Sequence, residues 1–221
     1  MTLNPKSNSF SLATTHTIGS YIIPGQLNED LKASTSKKIN ISIHNCLNVI
    51  KGVETKAFDL GLIETPLSTE MVQAKEWISN EMIIYSNTKI PSYIENNTLS
   101  NYNLVVQPQS SPIQAVINEF LKNFHIEYNH FKSLRTIDNT TAGIQSVKWS
   151  KSNTSNPTIG IVSKFAIEEE IHRKVFFTAQ FEESKMIHKF YIVIHKDSIE
   201  NSTIQNIIKT LNLYALENPK T

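Results

Sequence analysis

Catalysis asks for a nucleophile beside a base, for paired carboxylates, or for metal ligands at coordinating spacing, and the sequence offers thin material for each. Ser34-Thr35-Ser36-Lys37 has the count of a Ser-x-x-Lys nucleophile pair, but it lies in a polar stretch with no partner motif. His125 and His130 stand five residues apart, off a common helix face, and the other histidines scatter, so no metal site is expected. Glu168-Glu169-Glu170 beside Ile167 and Ile171 reads as a solvated helix face. Cys46 is the sole cysteine, which excludes an intrachain disulfide and reads most simply as a small core residue. There is no Gly-x-Gly-x-x-Gly and no phosphate-binding loop among six glycines, so no nucleotide or other cofactor is expected. The sequence gives no positive support to an enzyme.

Polar residues do recur at one kind of place, the exits of predicted strands. They are Thr14-Thr15-His16-Thr17, Glu64-Thr65, Ser110-Ser111 and Asp138-Asn139-Thr140-Thr141, with Ser163 as a weaker fifth. In open α/β sheets ligands bind beyond the carboxyl ends of strands, where helix-start N–H groups and capping hydroxyls meet. A lining of hydroxyls suits binding of a small polar molecule better than it suits chemistry. Each residue taken alone has a simpler explanation as a helix cap, and only convergence of several would mark a site.

The elements that would position these exits follow from periodicity. Phe10 and Leu12 alternate with serines, a strand ending at the threonine cluster. Thr15 or Thr17 can cap the helix that follows, which passes Tyr21 and Ile22 toward Leu31 with a break or late start at Pro24. Ile39, Ile41 and Ile43 alternate as a second strand, Val49, Ile50 and Val53 mark a helix face, and Phe58–Ile63 is a third strand. This strand–helix alternation implies right-handed crossovers and a parallel sheet. Met82–Tyr85 is a buried strand, and the polar stretch from Ser86 to Asn101 reads as a transition to another unit. Leu104–Val106 then leads through Ser110-Ser111-Pro112 into a helix carrying Ile113, Val116, Ile117, Phe120, Leu121 and Phe124, with a serine cap and proline at its first position. Strands are also expected at Phe131–Leu134, Ile159–Val162, Val175–Phe177 and Phe190–Ile194. Helices are expected at Thr140–Trp149, Ser163–Glu170 and around Ile204, Ile207, Ile208 and Leu211.

The composition fits this reading. The 221 residues carry 21 basic and 20 acidic side chains, a balance of +1 that argues against a surface built to grip nucleic acid. At 39% hydrophobic the chain can bury a sizeable core. Met1–Phe10 lacks a basic stretch followed by an apolar run, and no segment approaches about 18 consecutive apolar residues. The chain therefore reads as cytoplasmic, with no membrane partner.

Four segments resemble the effector-binding, substrate-binding-like domain of LysR-type transcriptional regulators: Leu12–Pro24, Ala57–Glu64, Ile159–Ile167 and Lys189–Asp197. The likeness runs from Phe10 to about Leu213. It implies a type 2 periplasmic-binding-protein fold with two Rossmann-like α/β lobes, two crossover strands and an effector in the interlobe cleft. Lobe I would comprise residues 9–83 and 190–216, and lobe II residues 84–189. Carried over by position, the effector contacts implied are Thr15, Thr17, Glu64, Ser110, Ser111, Thr140 and Thr141. The resemblance further implies a homodimer or tetramer through this domain, and DNA contact only through an N-terminal winged helix-turn-helix that this chain lacks, so the chain reads as an excised regulatory domain. Two departures stand out, a polar insertion at Lys151–Pro157 and the carboxylate of Glu64, which disfavours an anionic effector and points to an amine or neutral head. A transporter's solute-binding protein shares this fold, and Thr136–Thr141 has a faint likeness to prephenate dehydratase; both stand as alternatives.

Overall fold

Strand β1 (Ser9–Thr14) opens the first of two compact units in a computed structural model that describes residues 8–181 and 185–217. Unit 1 runs to Ser79 and resumes at Lys189, and unit 2 spans Asn80–His188.

In unit 1, β1 pairs in parallel with β2 (Lys38–Ile43) on one side and β3 (Leu60–Ile63) on the other. The first of these pairings requires the crossover that the alternating pattern implies, and α1 (Gln26–Ala33) supplies it. The helix expected from the threonine cluster to Leu31 is interrupted. A π-helical turn over Ile18–Ile22 ends before Pro24 and Gly25, and α1 starts beyond them. Proline cannot donate within a helix, and Gly25 sits at φ 93°, a left-handed value that favours glycine. Helix α2 (Cys46–Glu54) follows β2 and is capped by the Asn45 side chain, which accepts from the Asn48 N–H. Its inner face, Cys46, Val49, Ile50 and Val53, packs with Ala13, Ile63, Val72 and Val193. Gly61 on β3 lets these layers meet, since a Cβ there would lie 2.5 Å from Val193 Cγ2 and 2.5 Å from Val49 Cγ1.

The last strand, β10 (Met186–His195), runs antiparallel to β3 and pairs Ile192 with Leu62. Helix α6 (Ser202–Glu217) closes the unit, buries Ile204, Ile207 and Leu211, and lies against α1. The Trp77 indole N–H donates to the Leu211 carbonyl at 2.7 Å and so ties α6 to β4 (Val72–Ser86). Strand β4 is longer than expected. Its first half alternates polar and apolar residues too weakly to read as a strand, and only the buried Met82–Tyr85 run stands out by composition.

Unit 2 is a mixed sheet. The second half of β4 runs antiparallel to β8 (Thr158–Ser163), which is parallel to β6 (Asn103–Val106), itself parallel to β7 (Ser133–Thr136). On its other edge β4 pairs with β9 (Phe177–Phe181), two residues beyond the expected Val175–Phe177, and β9 takes up β5 (Tyr93–Ile94). Helices α3 (Pro112–Asn123) and α4 (Thr140–Lys148) follow β6 and β7 as the periodicity requires. The helix expected over Ser163–Glu170 is broken into a 3-10 turn, Lys164–Ala166, and the short α5 (Glu168–His172). The core of unit 2 collects Met82, Ile84, Leu104, Ile113, Ile117, Leu121, Ile159 and Phe181. Among the described residues, no helix is long and apolar enough to cross a membrane.

Candidate functional site

The polar strand exits of unit 1 converge. Thr15 follows β1, Glu64 follows β3, and the parallel pairing of these strands sets their ends side by side. The Thr15 N–H donates to the Leu62 carbonyl at 3.0 Å, which fixes the turn. The Thr15 hydroxyl then donates to Glu64 Oε1 at 3.0 Å, and the Thr17 backbone N–H donates to the same oxygen at 3.3 Å. All three residues are buried, Thr15 at 4%, Thr17 at 2% and Glu64 at 8% exposure.

Neither threonine therefore acts as the expected side-chain cap. Thr17 occupies the N-cap position of the π-helical turn without a side-chain capping hydrogen bond, and Thr15 serves the carboxylate instead. A buried anion is tolerated where donors reach it, and here a hydroxyl and an amide do so. Thr14 points the other way, toward Gly19. A Cβ on Gly19 would stand 2.4 Å from Thr14 Oγ1 and 2.7 Å from Ile43 Cγ1, so only glycine allows the turn to close over β1.

The Glu64 charge is felt at Cys46. Burial pushes this thiol above its ordinary range, the carboxylate of Glu64 pushes in the same direction, and a hydrogen bond from the Thr65 backbone opposes them. The sulfur is consequently held as the neutral thiol, the opposite of what a reactive cysteine needs.

In unit 2 the predicted residues meet through one that sequence reasoning did not single out, Gln107, which follows β6. Its Nε2 donates to Thr140 Oγ1 at 2.9 Å, and its Oε1 accepts from the Ser111 hydroxyl at 2.8 Å. Its own backbone N–H donates to Gln114 Oε1 at 2.8 Å. Gln114 is fully buried inside the apolar stripe of α3, and its amide continues to Asn118 and to the Tyr128 hydroxyl. Ser111 stands at the N-cap of α3 with Pro112 at the first helical position, as expected, but its hydroxyl is spent on Gln107 and caps nothing. The cap of α4 is Asn139, which accepts from the Ala142 N–H, and Thr140 is freed for Gln107.

Ser110 and Thr141 are exposed. Ser163, the weaker candidate, is fully buried and donates to Asn80 Oδ1 at 2.8 Å, a structural bond. The pocket beside Gln107, lined also by Tyr85, Gln114, Thr140 and Ile161, encloses only about 20 Å³, the room of a single water. The signal for Gln107 was its place as first residue after a strand, and that for Gln114 was an amide within an apolar helical stripe.

Two α/β units joined by strands β4 and β10, each with polar side chains gathered where strands end, define a domain of the type 2 periplasmic-binding-protein fold, a scaffold for holding small molecules. The model of the LysR substrate binding domain matches residues 4–213, and the chain belongs to that family. It is a ligand-sensing regulatory domain, and a transporter's binding protein or a prephenate dehydratase is not favoured.

Solved structures carry the same fold at low identity. The reduced OxyR regulatory domain from Pseudomonas aeruginosa superposes with a TM-score of 0.74 at 13% identity, over 93% of this chain and 97% of that one. The effector binding domain of a BenM variant gives 0.75 at 10%, over 97% of each chain. A peroxide-bound OxyR mutant from Corynebacterium glutamicum gives 0.75 at 14%, over 95% of this chain and 65% of that longer one. No curated protein matches the sequence.

Proposed function

We propose that this chain is the sensor of a LysR-type transcription factor and that it takes a small polar metabolite with an amine or neutral head. The residues assigned to effector contact are Thr15, Thr17 and Glu64 in unit 1, and Ser110, Ser111, Thr140 and Thr141 in unit 2. The observation that carries the reading is the fixed Glu64 carboxylate, steadied by the Thr15 hydroxyl and the Thr17 amide on one oxygen. A rigid anion at a strand exit favours a ligand donor or cation and repels a carboxylate or phosphate.

The domain binds its ligand without transforming it. In the full-length protein, differential affinity for two arrangements of the domain would pass the signal to a separate DNA-binding domain, with assembly through a homodimer or tetramer. Peroxide sensing through a thiol has no support in this chain, because Cys46 is its sole cysteine and is buried with a raised pKa.

The test is thermal-shift screening of the purified chain against primary amines, neutral polyols and carboxylates. A ligand that binds only the folded state raises the melting temperature. The reading requires stabilisation by members of the first two classes, and stabilisation by carboxylates alone would overturn it.

A further inference from the structure

Unit 2 contains a second polar pocket that the effector reading leaves unused. Strand alternation sorts the β4–β9 pair into two faces. Met82, Ile84, Ala179 and Phe181 enter the core of unit 2, and Glu81, Ile83, Thr178 and Gln180 face the other way. Tyr93 joins the second face because β5 pairs it with Gln180. Met82 pairs with Ser163, so Lys164 falls one step further along, opposite Glu81.

These residues, with Ser92 and Ile171, line an open pocket of about 420 Å³, within the range of small-molecule sites. Its inner end holds the Glu81 carboxylate, only 5% exposed, which accepts a hydrogen bond from the Gln180 amide. Lys164 is half-buried on the lining. Among the described residues neither Glu81 nor Lys164 forms an ion pair, with each other or with any other group. Buried charges are ordinarily paired, so a carboxylate and an ammonium facing one pocket without meeting leave a place for a molecule carrying both opposite charges.

We infer that this pocket binds a free aliphatic amino acid, its ammonium on Glu81 and Gln180, its carboxylate on Lys164, and its side chain against Ile83 and Ile171. A ligand with a single charge would leave one of the two protein charges unanswered.

The experiment titrates L-valine, L-leucine and L-isoleucine into the purified chain by calorimetry, with 4-methylpentanoate and 3-methylbutylamine as the single-charge counterparts of leucine. At least one amino acid binds, and both counterparts bind at least about tenfold more weakly. Glu81→Gln and Lys164→Met each weaken the amino acid by a similar factor, whereas Thr15→Ala, in the proposed effector site of unit 1, leaves its affinity unchanged. If Glu81→Gln does not fold, the partly exposed Lys164→Met and the two counterparts carry the test. No binding by any of the three amino acids, equal binding of the counterparts, or unchanged affinity in the folded variants overturns the inference. Loss of binding in Thr15→Ala also overturns it, since it would place the amino acid in the unit 1 site.

Discussion

Replacing Thr15 with valine keeps the branched shape of the side chain and deletes the hydroxyl that donates to Glu64 Oε1 at 3.0 Å. Glu64 is 8% exposed, so water cannot freely replace the lost donor, and the bond the same oxygen accepts from the Thr17 N–H is longer, 3.3 Å. A hydrogen bond to a charged group contributes about 1.5–3 kcal/mol. For a chain of this size each kcal/mol moves the melting temperature by about 2–4 °C, so Thr15→Val is expected to melt about 3–12 °C lower. Denaturant and thermal unfolding of Thr15→Val, Glu64→Met and the double variant close a cycle that isolates the pair. The expected coupling is about 1 kcal/mol or more, because once the carboxylate is gone the hydroxyl has nothing to serve. A loss below about 0.5 kcal/mol in Thr15→Val, or simple additivity in the double variant, would refute the role given to this bond.

Two further outcomes follow from the same geometry. Gln107→Leu strips Thr140 and Ser111 of one partner each, while the backbone N–H that serves Gln114 remains, and is expected to destabilise unit 2 by about 1 kcal/mol or more, read as an earlier denaturant midpoint; a change within about 0.5 kcal/mol would show that the network is held by other bonds. The raised pKa of Cys46 means that the folded state holds the thiol proton more tightly than the unfolded state. This contribution is fully present below the unfolded thiol's pKa of about 8.5 and is lost as pH rises through the higher folded value. Stability of the wild type should therefore fall more steeply across that alkaline window than stability of Cys46→Ala, and thiol labelling of the native chain should follow unfolding; fast labelling at neutral pH would contradict the buried, neutral thiol.

Much of the fold was legible because its helices and strands carry clean periods. The Ile113, Ile117, Leu121 stripe of α3 and the Ile159–Val162 run of β8 declared themselves, and Pro24 marked the break between the π-helical turn and α1. The first half of β4 was hidden because its polar residues mask the alternation, and the start of β9 slipped by two residues because Val175 and Phe176 extend the apolar run before the strand begins. Of the site, the convergence of Thr15, Thr17 and Glu64 follows from the parallel β1–β3 pairing that the strand–helix order implies. Which atoms each hydroxyl would choose was not legible. Capping preference assigns Thr15 and Ser111 to helix N–H groups, but a carboxylate and a glutamine brought close by the fold offer better acceptors. Gln107 and Gln114 escaped notice because amide pairing depends on three-dimensional proximity that no local pattern encodes.

The central claim is that polar residues at the strand exits hold a small effector. Its most direct test is calorimetric titration of the best stabiliser from the thermal-shift screen into the wild type, Thr15→Ala and Ser110→Ala. Each variant removes a hydroxyl assigned to effector contact, so each should weaken binding by about 1 kcal/mol or more, about fivefold or greater. Unchanged affinity in both folded variants would contradict the placement of the effector at these residues.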